Sequence, residues 1–165
     1  MQKNLQDYVA KGGKLYTSDY SYELMRQPWP GFVHWDGESG ALGSACQGDA
    51  YDATAQVSDP GLSSWLTAIG EPTPTLKQSW TSISSVSAQM GTDQNGKAAM
   101  ITPKVWMSGN NKPMTVSFQN GCGRVLFSTY HTEGDGASAL LAQEKALLYV
   151  LLEVGVCVGT LPPPK

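Results

Sequence analysis

A histidine and a carboxylate stand two residues apart where a β-rich run ends. The run covers residues 124–130, and His131, Thr132 and Glu133 follow it, with a glycine-bearing polar turn at 134–136. α/β enzymes often present a histidine base and its orienting partner where a strand ends and a helix follows. Since the chain has only two histidines, we predict a functional site at His131 and Glu133.

Composition narrows the class of protein. The 165 residues are enough for one domain with a buried core. Charged residues make up 15% of the chain, against roughly 25% in ordinary soluble domains, and the net charge is −3. Lysine and arginine are scattered, so nucleic-acid binding is not expected. No apolar run reaches the roughly 18 residues of a membrane span.

The sequence predicts no metal and no cofactor. Its three cysteines, Cys46, Cys122 and Cys157, lack the CxxC spacing of zinc sites. The first ten residues lack the apolar stretch of a signal peptide. Low charge and few lysines nevertheless favour an exported protein, either periplasmic or extracellular.

Hydrophobic spacing and turn residues predict alternating helices and strands. Leu5, Tyr8 and Val9 indicate a helix that ends at Gly12-Gly13, and a short buried strand follows at 14–18. Residues 19–25 indicate a helix start capped by Ser18 or Asp19. Residues 36–52 are expected to be irregular. Further strands are predicted at 32–35, 53–57, 79–86, 100–107, 114–118 and 124–130, and helices at 60–69 and 137–154.

Two segments resemble the second half of a class I glutamine-amidotransferase-like domain, a group that includes the ThuA-like proteins. Residues 5–19, LQDYVAKGGKLYTSD, are similar to the helix, Gly-Gly turn and strand before the nucleophile elbow. Residues 123–133, GRVLFSTYHTE, are similar to the closing hairpin strand with its His-x-Glu pair. The resemblance implies a three-layer, flavodoxin-like α/β fold, with a mostly parallel sheet and a C-terminal antiparallel hairpin.

The resemblance also predicts the domain organisation. Residues 1–160 would form one domain without the family's first βαβ unit, with a loop-rich insertion at about 36–112 and a tail or linker at 161–165. A longer protein or another chain would supply the missing strands. An open sheet edge invites association, so a protein partner or a second copy of the chain is expected there.

The nucleophile position departs from the family pattern. In active amidotransferases the elbow carries a cysteine, whereas this chain has Asp19 between Ser18 and Tyr20. Glutamine hydrolysis needs a thiolate nucleophile, so no glutaminase activity is expected. Asp19 could instead serve only as a helix cap, and His131 only as a hydrogen-bonded structural residue.

We therefore favour a non-catalytic binding module whose ligand, a protein or a glycan, lies in the vestigial active-site cleft. Two alternatives remain. One is a hydrolase with Asp19 as nucleophile, His131 as base and Glu133 as its orienter. The other is a metal-assisted enzyme with the same three residues as ligands. Beyond these three, the predicted binding residues are Tyr20, His34, Trp35 and Asp36.

The resemblance makes a geometric prediction. Strands 14–18 and 124–130 should be parallel neighbours, because a crossover connects strands of this kind. Asp19 and His131 would then emerge at the same sheet edge, where open α/β sheets bind ligands. Their side chains should approach to hydrogen-bond or one-water distance, with Glu133 near the imidazole.

Overall fold

The strands that precede Asp19 and His131 belong to one mixed sheet. The computed structural model describes residues 1–132 and 140–153. The helices are α1 (Gln2–Ala10), α2 (Glu23–Arg26), α3 (Pro60–Ala68) and α4 (Ala142–Glu153). The strands are β1 (Lys14–Ser18), β2 (Val33–Trp35), β3 (Cys46–Thr54), β4 (Gln56–Val57), β5 (Thr75–Thr81), β6 (Ile83–Val86), β7 (Gln89–Thr92), β8 (Ala98–Ile101), β9 (Lys104–Gly109), β10 (Lys112–Asn120) and β11 (Gly123–Ser128).

The central sheet has five strands in the order β1-β11-β10-β9-β4. β1 pairs with β11 in parallel, and the other neighbouring strands of this sheet are antiparallel. The pairs β2–β6, β3–β5 and β7–β8 form separate two-stranded antiparallel sheets. The predicted parallel pairing of residues 14–18 with the last strand is confirmed, and so is the antiparallel β10–β11 hairpin.

The predicted fold class is wrong. A three-layer flavodoxin-like fold with a mostly parallel sheet does not match the described residues, which have a single parallel strand pair in a mixed sheet. Strands account for 41% and helices for 26% of the structure, so the protein is sheet-rich. The physical reason lies in the middle of the chain, where β3 to β9 connect through antiparallel pairs and not through βαβ crossovers.

Other boundaries also differ from the sequence prediction. Residues 36–52 were expected to be irregular, but β3 begins at Cys46. The strand predicted at 79–86 is two strands, β5 and β6, which belong to different sheets. α3 agrees with its prediction because Asp59 caps it, accepting from the Leu62 amide at 2.7 Å, and Pro60 occupies the first turn. The start of the last predicted helix, 137–139, and residue 154 lie outside the described residues.

Alternating side chains of the central strands pack into two hydrophobic cores, one on each face of the sheet. Leu126 of β11 points toward α3 and α4, whereas Val125 and Phe127 point toward α1, α2 and β2. Tyr16 of β1 lies within 2.8 Å of Ser128, measured between hydroxyl oxygens, which links the two parallel strands where they end. Both faces are therefore covered, and the carboxyl ends of β1 and β11 are held side by side.

Candidate functional site

Asp19 is the first residue of the 3₁₀ turn Asp19–Tyr22, which directly follows β1. Its backbone φ is +54°, in the left-handed region that costs a non-glycine residue roughly 1–2 kcal/mol. A reciprocal cap closes the turn, because the Ser18 amide donates to the Ser21 hydroxyl at 2.9 Å and that hydroxyl donates to the Ser18 carbonyl. Strained residues of this kind concentrate at active sites and ligand clamps. The turn fixes the direction in which the Asp19 side chain leaves the sheet.

His131 leaves the neighbouring strand at the same edge. Tyr130 forms an isolated antiparallel bridge with Ser79 of β5. The His131 amide then donates to the Gln78 carbonyl at 3.3 Å. Gln78 itself has φ +57°, so β5 turns as it passes the histidine. β5 therefore supports the segment that presents His131.

The two side chains meet. Nδ1 of His131 contacts Oδ2 of Asp19, so the predicted proximity of these residues is confirmed. Asp19 is only 5% exposed, whereas the His131 side chain is 38% exposed. Burial raises the pKa of the Asp19 carboxyl above its usual value, and the attraction of His131 only partly offsets that effect. The pair thus joins a buried carboxylate to a solvent-accessible imidazole.

Gln143 of α4 holds the His131 backbone in place. Its side chain is 1% exposed, its Oε1 accepts from the Lys77 amide at 2.5 Å, and its Nε2 donates to the carbonyl of His131. One amide group therefore satisfies backbone groups of β5 and of the histidine segment. Sequence reasoning missed this residue. The available signal was a glutamine on the same helical face as Ala146, Leu147 and Val150, which are buried.

An exposed aromatic pair stands next to the Asp19 turn. Tyr20 is 49% exposed, and its ring centroid lies 5.6 Å from that of Trp80, which is half-buried. The Tyr20 hydroxyl donates to the Gln47 carbonyl at 3.2 Å. Partial desolvation of Cys46 and the negative charge of Asp19 raise the pKa of the Cys46 thiol, so the thiol is protonated at neutral pH.

The remaining predicted binding residues lie in different surroundings. His34 is half-buried in β2 opposite Ser85. Trp35 is buried in the core, where its ring packs 5.7 Å from that of Phe127, so it does not present a surface to a ligand. Asp36 pairs with Lys112, with 2.6 Å between Oδ2 and Nζ. Glu133, predicted to orient the imidazole, lies outside the described residues.

The described residues contain neither a group of side chains arranged to bind a metal nor a helix that could span a membrane. Within residues 1–132 and 140–153, no group of three or more histidine, cysteine or acidic side chains is arranged to hold a metal ion. Helices of the described residues are also too short or too polar to cross a membrane.

Comparison with known proteins indicates a fold and not a family. No family model matches the sequence, and no curated protein matches it either. Among solved structures, the chain is similar to the cytoplasmic protein STM3548 of Salmonella typhimurium, with a TM-score of 0.58 and 12% identity over 93% of this chain and 59% of that one. It is also similar to the cytoplasmic protein STM1381 of Salmonella typhimurium LT2, with a TM-score of 0.55 and 15% identity over 93% of this chain and 60% of that one.

These similarities concern the fold alone, because identity is low. The chain spans about 60% of the length of the two Salmonella proteins that it resembles. A GH42 β-galactosidase from G. stearothermophilus aligns with a TM-score of 0.46 and 13% identity over 92% of this chain and 19% of that one. That score is too low to support an argument about this chain.

Proposed function

We propose that this chain is a non-catalytic, amidotransferase-like module that binds a glycan beside Asp19 and His131. One observation carries the proposal: the exposed Tyr20–Trp80 ring pair adjoins the turn that holds the buried Asp19 carboxylate against an accessible imidazole. Aromatic rings provide large apolar contact surfaces with little flexibility. The accessible imidazole of His131 can exchange hydrogen bonds with sugar hydroxyls, while the buried Asp19 carboxylate contacts its Nδ1 and orients the ring.

The absence of a thiolate supports a binding role over glutamine hydrolysis. Asp19 stands at the position that resembles the nucleophile elbow, where an active amidotransferase has a cysteine. Its carboxylate contacts His131. Cys46 is electrostatically coupled to Asp19, but burial and that charge raise the pKa of its thiol. A protonated thiol is a poor nucleophile. No ammonia release from glutamine is expected.

A second candidate function is hydrolysis with Asp19 and His131 as the working pair. The observation that favours it is the left-handed φ of Asp19, since strained strand-to-helix turns are how α/β-hydrolases expose a nucleophile. In this alternative, the Asp19 carboxylate would displace the leaving group of the substrate and form a covalent intermediate, and His131 would take a proton from the water that hydrolyses it. The contact between the two side chains is compatible with both functions.

Sugar titrations separate the two functions. Glucose, galactose, N-acetylglucosamine and their β-1,4-linked disaccharides would be titrated into the protein while the Trp80 indole signal is followed by NMR. We expect one of these sugars to shift that signal. Trp80→Ala, followed at the backbone amide of Tyr20 because the indole is gone, should weaken binding by about tenfold, as loss of roughly 1.4 kcal/mol of ring contact implies.

The matched control is Trp65→Ala. Trp65 forms a comparable ring pair with Tyr149, at 5.7 Å, on α3 and α4, and its replacement should leave sugar affinity unchanged. Failure of every sugar to bind would refute the proposal. Ester or glycoside turnover that disappears in Asp19→Asn would instead establish the hydrolase.

The outer edge of β1 is a proposed site for a protein partner. In the described residues β1 is the terminal strand of the five-stranded sheet. Unpaired strand edges are templates for added strands. Light scattering of the purified chain tests self-association: pairing of two copies through this edge should give the mass of a dimer, whereas a wild-type monomer under all conditions argues against it.

A further inference from the structure

A polar pocket with a volume of about 320 Å³ lies beside the β9–β10 hairpin. Neither Asp19 nor His131 lines it. Its walls carry hydroxyl, amide and charged side chains, contributed by Asp36, Gln47, Tyr51, Ser82, Asn110 and Lys112. The volume is at the lower end of the 300–1,000 Å³ typical of ligand sites, which suits a single small ring.

The hairpin turn holds one of these side chains, Asn110, in a fixed position. Asn110 and Asn111 have φ values of +52° and +60°, as in the tight two-residue turns that match the twist of a hairpin. Gly109, before them, packs so closely on β3 that an added Cβ would lie 2.7 Å from the Cβ of Ala53. The backbone under Asn110 therefore has little freedom to move.

An ion pair sets the charge of the pocket. Lys112 Nζ lies 2.6 Å from Asp36 Oδ2 and 3.5 Å from the Ser82 hydroxyl. The hydrogen bonds from Lys112 and Ser82 lower the pKa of the Asp36 carboxyl, so it is ionised near neutral pH. The charges of Lys112 and Asp36 cancel. An anionic ligand would be repelled by Asp36, and a cationic ligand by Lys112.

A neutral ligand with several hydroxyl groups fits this set of side chains. Each hydroxyl both donates and accepts, so it can give a hydrogen bond to Asp36 and receive one from the amide of Asn110 or the ammonium of Lys112. Hydrogen bonds to charged groups are about twice as strong as neutral ones. The lining therefore matches the hydroxyl-bearing edge of a sugar ring.

We propose that this pocket binds one sugar ring and forms a second subsite of the glycan surface. Gln47 connects the two places, since it lines the pocket and its carbonyl accepts from the Tyr20 hydroxyl. A glycan of two or three rings that contacts Tyr20 and Trp80 would enter the pocket with its next ring. This inference rests on the proposed glycan-binding function.

The experiment compares single sugars with their β-1,4-linked trimers, again for glucose, galactose and N-acetylglucosamine. The Trp80 indole reports on the aromatic pair, and the Gly109 backbone amide and Asn110 side-chain amide report on the pocket. We expect a trimer to shift all three signals. Asn110→Gly, which keeps the left-handed turn and removes the amide, should weaken trimer binding roughly threefold to tenfold, the range for one lost hydrogen bond.

Asn111→Gly is the matched control, because Asn111 shares the turn and the positive φ but does not line the pocket. Its affinity for the trimer should equal that of the wild type. Shifts at Trp80 without shifts at Gly109 and Asn110 would overturn the pocket and leave the proposed function standing. Shifts at Gly109 and Asn110 without a shift at Trp80 would overturn the proposed binding at the aromatic pair and leave sugar binding in the pocket standing. No shift with any sugar would overturn both.

Discussion

Replacing Gln143 with methionine tests whether a buried amide positions the His131 segment. Methionine has a similar length and shape but cannot satisfy the Lys77 amide and the His131 carbonyl, which Gln143 bonds in the wild type. Each buried backbone group left without a partner costs about 1–3 kcal/mol. Gln143 is 1% exposed, so water cannot readily replace it. Two such groups would cost about 2–6 kcal/mol, and because both hydrogen bonds are only part-buried we expect Gln143→Met to lower the free energy of unfolding by an amount at the lower end of that range.

The measurement is urea unfolding of the purified protein, together with NMR of the His131 ring. The ring signal should move, because its backbone support is lost, and any sugar affinity should fall with it. Gln56→Met is the control, since the Gln56 side chain is exposed on β4, and its stability should stay within about 0.5 kcal/mol of the wild type. Equal stability of the two variants, with an unmoved His131 signal, would refute the bracing role of Gln143.

Three further predictions concern charge and packing. Burial raises the folded-state pKa of Asp19, so the contribution of Asp19 to stability falls as pH rises above the ordinary value of 3.8. The stability of Asp19→Asn relative to the wild type should therefore increase across that range, and a pH-independent difference would contradict this. Asp36 has a lowered pKa next to Lys112, so Lys112→Met should cost less than about 1 kcal/mol at neutral pH and nothing once acid protonates Asp36, as urea unfolding at both pH values would show. Gly123→Ala would place a Cβ 1.9 Å from the carbonyl oxygen of Val9 in α1, and thermal unfolding should reveal a loss of about 3 kcal/mol, whereas Gly48→Ala, with open space around it, should be nearly neutral.

Local sequence signals were sufficient where an element is defined by its own residues. β1 matches its prediction because a Gly-Gly stop precedes it, and Gly12 takes a φ of +104° that ends α1. The Asn-Gly turn between β10 and β11 likewise specifies an antiparallel hairpin, and Gly121 has φ +63° there. α3 is defined by its cap and proline.

The middle of the chain could not be read in this way. The alternating pattern over residues 79–86 continues through Ser82, so nothing local shows that β5 and β6 pair with different strands. Strand partners are chosen by tertiary packing, which overrides local pattern. The fold class was predicted wrongly for the same reason. The connections that decide between parallel and antiparallel pairing run through a glycine-rich segment, and its local pattern does not specify them.

The site was predicted in part for a similar reason. Asp19 and His131 could be paired because each follows a strand, and parallel neighbours bring such positions together. The contributions of Gln78 and Lys77 of β5 were not predictable, because these residues reach the site through long-range contacts. Trp35, expected at the surface, is buried because β2 packs against Tyr22 and Phe127.

The position of β1 makes assembly of the site depend on one late event in folding. Its only strand partner in the described residues is β11, and the linking residues Tyr16 and Ser128 are 112 positions apart in the chain. Closing so long a loop costs more entropy than forming the local β10–β11 hairpin. Terminal strands open locally at lower free energy than central ones, so β1 amides should exchange with solvent faster than those of β10. The glycan that we propose to bind beside His131 should oppose this opening, and hydrogen exchange in β1 would then measure occupancy of the site.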